Sequence, residues 1–186
     1  MPEFWDFDEK INYKVVNLNN NNYKVLNIYK DYYDSALLLD KIRNFIDIIS
    51  EYLHVNKYRY KLLEQKHIYC FLLIHPNNYL LSEMQLNTEF DGLNKPKKLY
   101  KSNTKLGPDN YLRASYRDVF LRLRKDNGEF KNINSIRNLV IHEIAHTMCN
   151  HVTWRDDNHH WDFEMCENIL KEVVNDLIKI KHLNVK

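Results

Sequence analysis

The stretch Ser135-Ile136-Arg137-Asn138-Leu139-Val140-Ile141-His142-Glu143-Ile144-Ala145-His146-Thr147-Met148-Cys149-Asn150 decides how this chain is read. Its pattern predicts one helix from about Ser135 to Asn150, and Ile141, Ile144 and Ala145 predict that this helix is partly buried. His142 and His146 stand four residues apart. Four helical residues rise about 6 Å and turn slightly more than once, so both imidazoles leave the same face. Two nitrogens placed this way can share one Zn²⁺ at about 2.0–2.1 Å. Glu143 points about 100° further round, close to such an ion but badly placed to ligate it. There it can take a proton from an attacking water and later return it to a leaving amine. Zinc lowers the pKa of water towards about 7, so hydrolysis at such a site needs no activated side-chain nucleophile. The same letters can fall in a long helix by chance. Against chance stand the apolar neighbours, since two histidines and a glutamate in a partly buried helix require a reason, and a second histidine cluster (His151, His159, His160) downstream.

A catalytic zinc takes about three protein ligands and keeps one open position. The metzincin pattern needs Gly three residues and His six residues after the second His; Cys149 and Val152 occupy those places and exclude it. A thermolysin-like site would draw a Glu from the next helix, and Glu164 and Glu167 are available for that alternative. His159 ranks first as third ligand, because it stands just before the last helix and would be carried to the motif helix when Phe163 docks in the core. His160 ranks second. His151 ranks third, since five residues beyond His146 it can serve simply to cap the helix end. Asp156, Asp157 and Asp162 are candidates for a carboxylate behind a ligand imidazole, and Trp154 and Arg155 lie in the loop between the ligands.

Outward from the motif, the last helix is expected from about His160 to His182, with Phe163, Cys166, Leu170, Val173, Leu177 and Ile180 as its apolar stripe. Upstream, Val119 to Arg124 alternates as a strand does, and Asp126-Asn127-Gly128 then forms a tight turn. Residues 87 to 113, punctuated by Asp91-Gly92, Lys95-Pro96 and Gly107-Pro108, read as irregular. Ile68 to Ile74 reads as a buried strand ended by His75-Pro76-Asn77-Asn78. Ser35 to Leu53 carries Leu38, Ile42, Phe45, Ile46, Ile49 and Leu53 at helical spacing, with Asp34 or Ser35 as its cap. Tyr23 to Tyr29 reads as a short strand, and residues 1 to 22 as a loose N-terminal arm ending in the Asn19–Asn22 run.

The whole of residues 1–186 is expected to form one α+β domain, which suits 186 residues at 44% hydrophobic and 13% aromatic content. A formal charge of +2 gives no global signature for nucleic acid. The one basic cluster, Lys95, Lys97, Lys98, Lys101 and Lys105 with Tyr100 among them, followed by Arg113 and Arg117, is where DNA would make contact, or else it is a solvated loop. Only three glycines exclude a Gly-rich phosphate loop. Cys70, Cys149 and Cys166 form no framework and are expected as buried thiols in a reducing, intracellular compartment. Met1 to Lys10 is acidic and lacks an apolar core, so no secretory signal is expected, and no apolar run is long enough to span a membrane.

Three stretches together are familiar: Val119-Phe120-Leu121-Arg122-Leu123-Arg124, then Leu139 to His146, then His159-His160-Trp161-Asp162-Phe163. They resemble the WLM and SprT-like zinc metallopeptidases, where an "RLR" strand precedes the active helix and the third ligand is a His followed four residues later by Phe. Gly92-Leu93-Asn94-Lys95-Pro96-Lys97, Arg113 to Asp118 and Cys149-Asn150-His151-Val152 look like the version carried by large DNA viruses. The resemblance covers about residues 85 to 180. It implies a zincin-like domain, a small sheet packed on an active-site helix with a C-terminal helix. It also implies Zn²⁺ held by His142, His146 and His159, with Glu143 as general base, and a protein substrate, by analogy one bound or crosslinked to DNA. The competing readings are a catalytically silent, zinc-stabilised viral structural protein and a DNA-binding module. Retention of Glu143 separates catalysis from the first, and salt-dependent, chelator-insensitive DNA binding would mark the second.

Overall fold

The computed structural model describes residues 12–56, 59–60, 78–85, 89–101, 112–149 and 161–180. The first elements are a hairpin, β1 (Tyr13–Leu18) and β2 (Asn21–Leu26), paired antiparallel from Tyr13↔Leu26 to Leu18↔Asn21. Asn19 and Asn20 make its two-residue turn at φ 51° and 63°. Asparagine tolerates this left-handed backbone, which a tight hairpin demands at both central positions. The expectation of a loose arm up to residue 22 is therefore corrected from Tyr13 onward: the asparagine run is a turn between paired strands, and Tyr23 and Val25 are fully buried.

Helix α1 (Tyr32–Val55) buries Ala36, Leu39, Ile42, Ile46, Ile49 and Leu53, with Leu38 and Phe45 packed at the margins of that stripe. Its cap differs from the expectation. Asp31 holds the N-cap position without a side-chain cap bond, Asp34 lies in the first turn, and Ser35 turns its hydroxyl into the core. Strand β3 (Tyr79–Glu83) follows; the expected strand Ile68–Ile74 lies outside the described residues.

The region 87–113 is the largest correction. It contains β4 (Gly92–Lys101) and the start of β5 (Leu112–Leu121), paired antiparallel from Gly92↔Leu121 to Lys101↔Leu112. Lys, Asn and Pro dominate β4 because it is an edge strand, and charges and proline are what native edges carry against unwanted pairing. The apolar half of the ribbon comes from its partner, through Val119 and Leu121. The sheet runs β1-β2-β3-β5-β4, with β2–β3 and β3–β5 parallel and both outer pairs antiparallel. Beyond β5 the turn at Asp126-Asn127-Gly128 is present, with Gly128 at φ 86°.

Two further helices, α2 (Ile133–Cys149) and α3 (Trp161–Lys179), pack together and complete the core with α1. Phe163, Cys166, Leu170, Val173 and Leu177 are buried as their spacing predicts, whereas Ile180 lies past the end of α3 and is exposed. Cys149 and Cys166 are buried, and Cys70 lies outside the described residues. Among the described residues no helix is long and apolar enough to cross a membrane. Among the described residues the architecture is α+β: a small mixed sheet of five strands with three helices.

One charged knot ties the sheet to α1. The fully buried Glu83 carboxylate accepts hydrogen bonds from the Leu26 amide at 2.9 Å, the Ser35 hydroxyl at 3.0 Å and Arg124 Nε at 2.9 Å. Arg124 is itself held between the rings of Tyr29 and Phe130, 4.1 Å from each centroid, and donates to the Gly128 carbonyl at 2.8 Å. Every polar contact of this kind offsets the large desolvation cost of a buried ion pair.

Candidate metal centre

Helix α2 presents His142 and His146 from one face, as the spacing requires. Their ring centroids lie 5.1 Å apart with the planes at 81°. Two imidazoles that each donate one nitrogen to a tetrahedral ion at about 2.1 Å would have centroids about 5 Å apart, and the observed separation matches that value. Phe163, from the first turn of α3, packs against both rings, 5.0 Å from the His142 ring and 4.4 Å from that of His146. This is the docking of Phe163 that the last helix's stripe leads one to expect, and it brings the N-terminal end of α3 to the motif.

The expected third ligand, His159, lies outside the described residues, as do His160, His151, Trp154, Arg155, Asp156 and Asp157; the side chain of Asp162 is likewise not described. Among the described residues no group of three or more His, Cys, Asp or Glu side chains converges as a metal cluster. Of the two glutamates of the thermolysin-like alternative, Glu164 is exposed. Glu167 reaches the site: its Oε1 lies 3.2 Å from His142 Nδ1, and its Oε2 accepts from Lys171 Nζ at 2.7 Å. Burial opposes ionisation of Glu167, but the hydrogen bonds and charges of Lys171 and His142 outweigh it and hold the carboxyl below its ordinary range. A carboxylate at Nδ1 fixes that nitrogen as the protonated one and leaves Nε2 as the donor for a metal.

Glu143 is 4% exposed, and desolvation alone pushes its carboxyl up to about 8. A carboxyl tuned to that range exchanges a proton readily near neutral pH. What holds it is the ribbon. Asn94 of β4 donates from Nδ2 to the Glu143 carbonyl at 2.6 Å and to Thr147 Oγ1 at 2.7 Å. Arg117 of β5, buried, donates from Nη1 to Asn94 Oδ1 at 2.9 Å. Gly92 lies against the carboxyl itself: a Cβ added there would fall 2.7 Å from Glu143 Cδ and 2.8 Å from Cγ.

Sequence reasoning did not find Gly92, Asn94, Thr147 or Arg117 as parts of this site. The available signal was Gly92, one of only three glycines in the chain, which in the structure is the first residue of β4 and lies close against another group. In the basic cluster, Lys97 pairs with Asp118 at 3.7 Å; Lys95 lies on β4, and Lys105 lies outside the described residues.

Comparison of the chain with protein-family models, with curated proteins and with solved structures yields no match in any of the three.

Proposed function

We propose that this protein is a zinc-dependent metallopeptidase of zincin-like fold. The observation that carries the reading is the buried Glu143 carboxyl beside two imidazoles whose separation suits one ion. His142 and His146 would hold the zinc together with a third donor, for which His159 is the expectation. Zinc held there would supply Lewis acidity, polarising a substrate carbonyl and lowering the pKa of water towards about 7.

The chain's own residues divide the remaining work. Glu167 orients the His142 ring through Nδ1, and Lys171 keeps Glu167 ionised. Glu143, as the carboxylate, takes a proton from the attacking water and delivers it to the departing amine nitrogen as the C–N bond breaks. The buried Phe163 ring supports the imidazole pair by packing against both rings.

The test is metal analysis of the purified protein together with cleavage of an unfolded protein such as casein, with and without DNA. About one zinc per chain is expected. Glu143→Gln should keep that zinc and lose turnover by about 100-fold or more. A wild-type chain without zinc, or a Glu143→Gln variant that cleaves at the wild-type rate, would overturn the proposal. Stimulation by DNA would place the substrate among DNA-bound proteins.

A further inference from the structure

We infer that β4 is a positioning strand for Glu143, in which Gly92 makes room for the carboxyl group and Asn94 holds the peptide carbonyl of the same residue. The inference rests on the reading of Glu143 as the base. Gly92 and Asn94 are two apart on one strand, so they share a face, and that face meets α2. The Asn94 amide spans one turn of the helix, from the Glu143 carbonyl to the Thr147 hydroxyl. Its orientation is fixed, because the Arg117 guanidinium can only donate and so requires the amide oxygen. A slip of the strand by one residue would turn both Gly92 and Asn94 away from the helix.

Gly92 supplies the independent half of the argument. Glycine costs stability in a strand through lost chain entropy and an absent side chain, and Gly92 is the first residue of β4. Here the space a side chain would need is occupied by the Glu143 carboxyl, and any larger residue must displace it. Displacing a reacting group by even an ångström costs large factors in rate. Gly92 and Asn94 are thus positioning residues, acting through Glu143 rather than on substrate.

The experiment uses the full chain as Gly92→Ala and Asn94→Asp, with Gly92→Ala repeated in a Glu143→Ala background. Melting temperature, zinc content and casein cleavage are measured for each. Gly92→Ala should lower the melting temperature when Glu143 is present. It should leave it unchanged or raise it when Glu143 is alanine, because only the entropic benefit of replacing glycine then remains. Both single variants should lose about 100-fold in kcat with KM and zinc content held, a split that general structural damage would not give. Equal melting shifts in the two backgrounds, or full turnover in Gly92→Ala, would overturn the inference. A wild-type chain that binds zinc but cleaves nothing would sink the peptidase reading alone, and the melting comparison would then decide the positioning of Glu143 by itself.

Discussion

Glu167 Oε1 lies 3.2 Å from Nδ1 of His142, although the two residues sit on different helices and are 25 positions apart in the chain. The contact joins α3 to the face of α2 that carries His142 and His146, and it gives the His142 ring a carboxylate partner. Removing a carboxylate behind a ligand imidazole costs about 10–100-fold in metal affinity. Glu167→Gln should therefore weaken zinc binding by a factor in that range, measured by competition with a chelator, while the fold persists. Unchanged affinity would detach Glu167 from the centre.

His159 and His160 are to be separated by the same measurement. Docked Phe163 carries the start of α3 to the imidazole pair. His159→Ala should abolish tight zinc binding and His160→Ala should leave it within a few fold. The reverse result would shift the third ligand by one residue.

Arg124→Ala is expected to be the most damaging single change far from the candidate centre. It leaves the fully buried Glu83 carboxylate without its cation and empties the space between Tyr29 and Phe130. Breaking a buried pair in this way costs about 3–5 kcal/mol. Equilibrium unfolding in urea would read it. Arg124→Lys should recover little, since an ammonium cannot reproduce the several directed bonds of a guanidinium.

Asp31 gives a pH signature with a definite sign. The hydrogen bond from Arg124 holds its carboxyl below the usual range. A carboxyl depressed by folding contributes stability that is present above the ordinary aspartate pKa of about 3.9 and disappears as pH falls through the lower folded value. The melting temperatures of wild type and Asp31→Asn should differ at neutral pH and converge in acid. Because Asp31 is about half exposed, at 47%, salt should narrow the neutral gap. A gap that persists undiminished below the folded value would point to another cause.

Legibility in the sequence followed the kind of physics involved. Helices α2 and α3 could be read because burial on one face writes a period into the chain, and the shared face of His142 and His146 could be read because four helical residues turn only slightly more than once. Strand β4 could not, and of β5 only the end from Val119 showed its alternation. Asn94, Lys95, Pro96 and Lys97 show no alternation of apolar and polar residues, because an edge strand is written by what it must avoid as much as by what it buries. Strand β1 and its turn into β2 were hidden for the opposite reason: an asparagine run looks like slack, yet two of its members hold a backbone conformation that asparagine tolerates better than most residues. Gly92 and Asn94 meet Glu143 only through a register of strand on helix, and such a contact between residues about fifty positions apart leaves no local mark.

The knot at Glu83 bears on how the chain could be dissected. The resemblance to known peptidases and every named residue of the candidate centre fall after residue 85, which invites cutting out the C-terminal half as a minimal unit. Glu83 and Arg124, however, take partners from the Leu26 amide, the Ser35 hydroxyl and Asp31. A fragment beginning near residue 79 would keep the ion pair and lose those partners, along with the strand that flanks β3. It would carry an unsheathed sheet edge and a half-solvated carboxylate where the whole chain has a closed core. The hairpin and first helix are therefore not an appendage that can be trimmed: they are the other half of the mould in which the C-terminal half is cast.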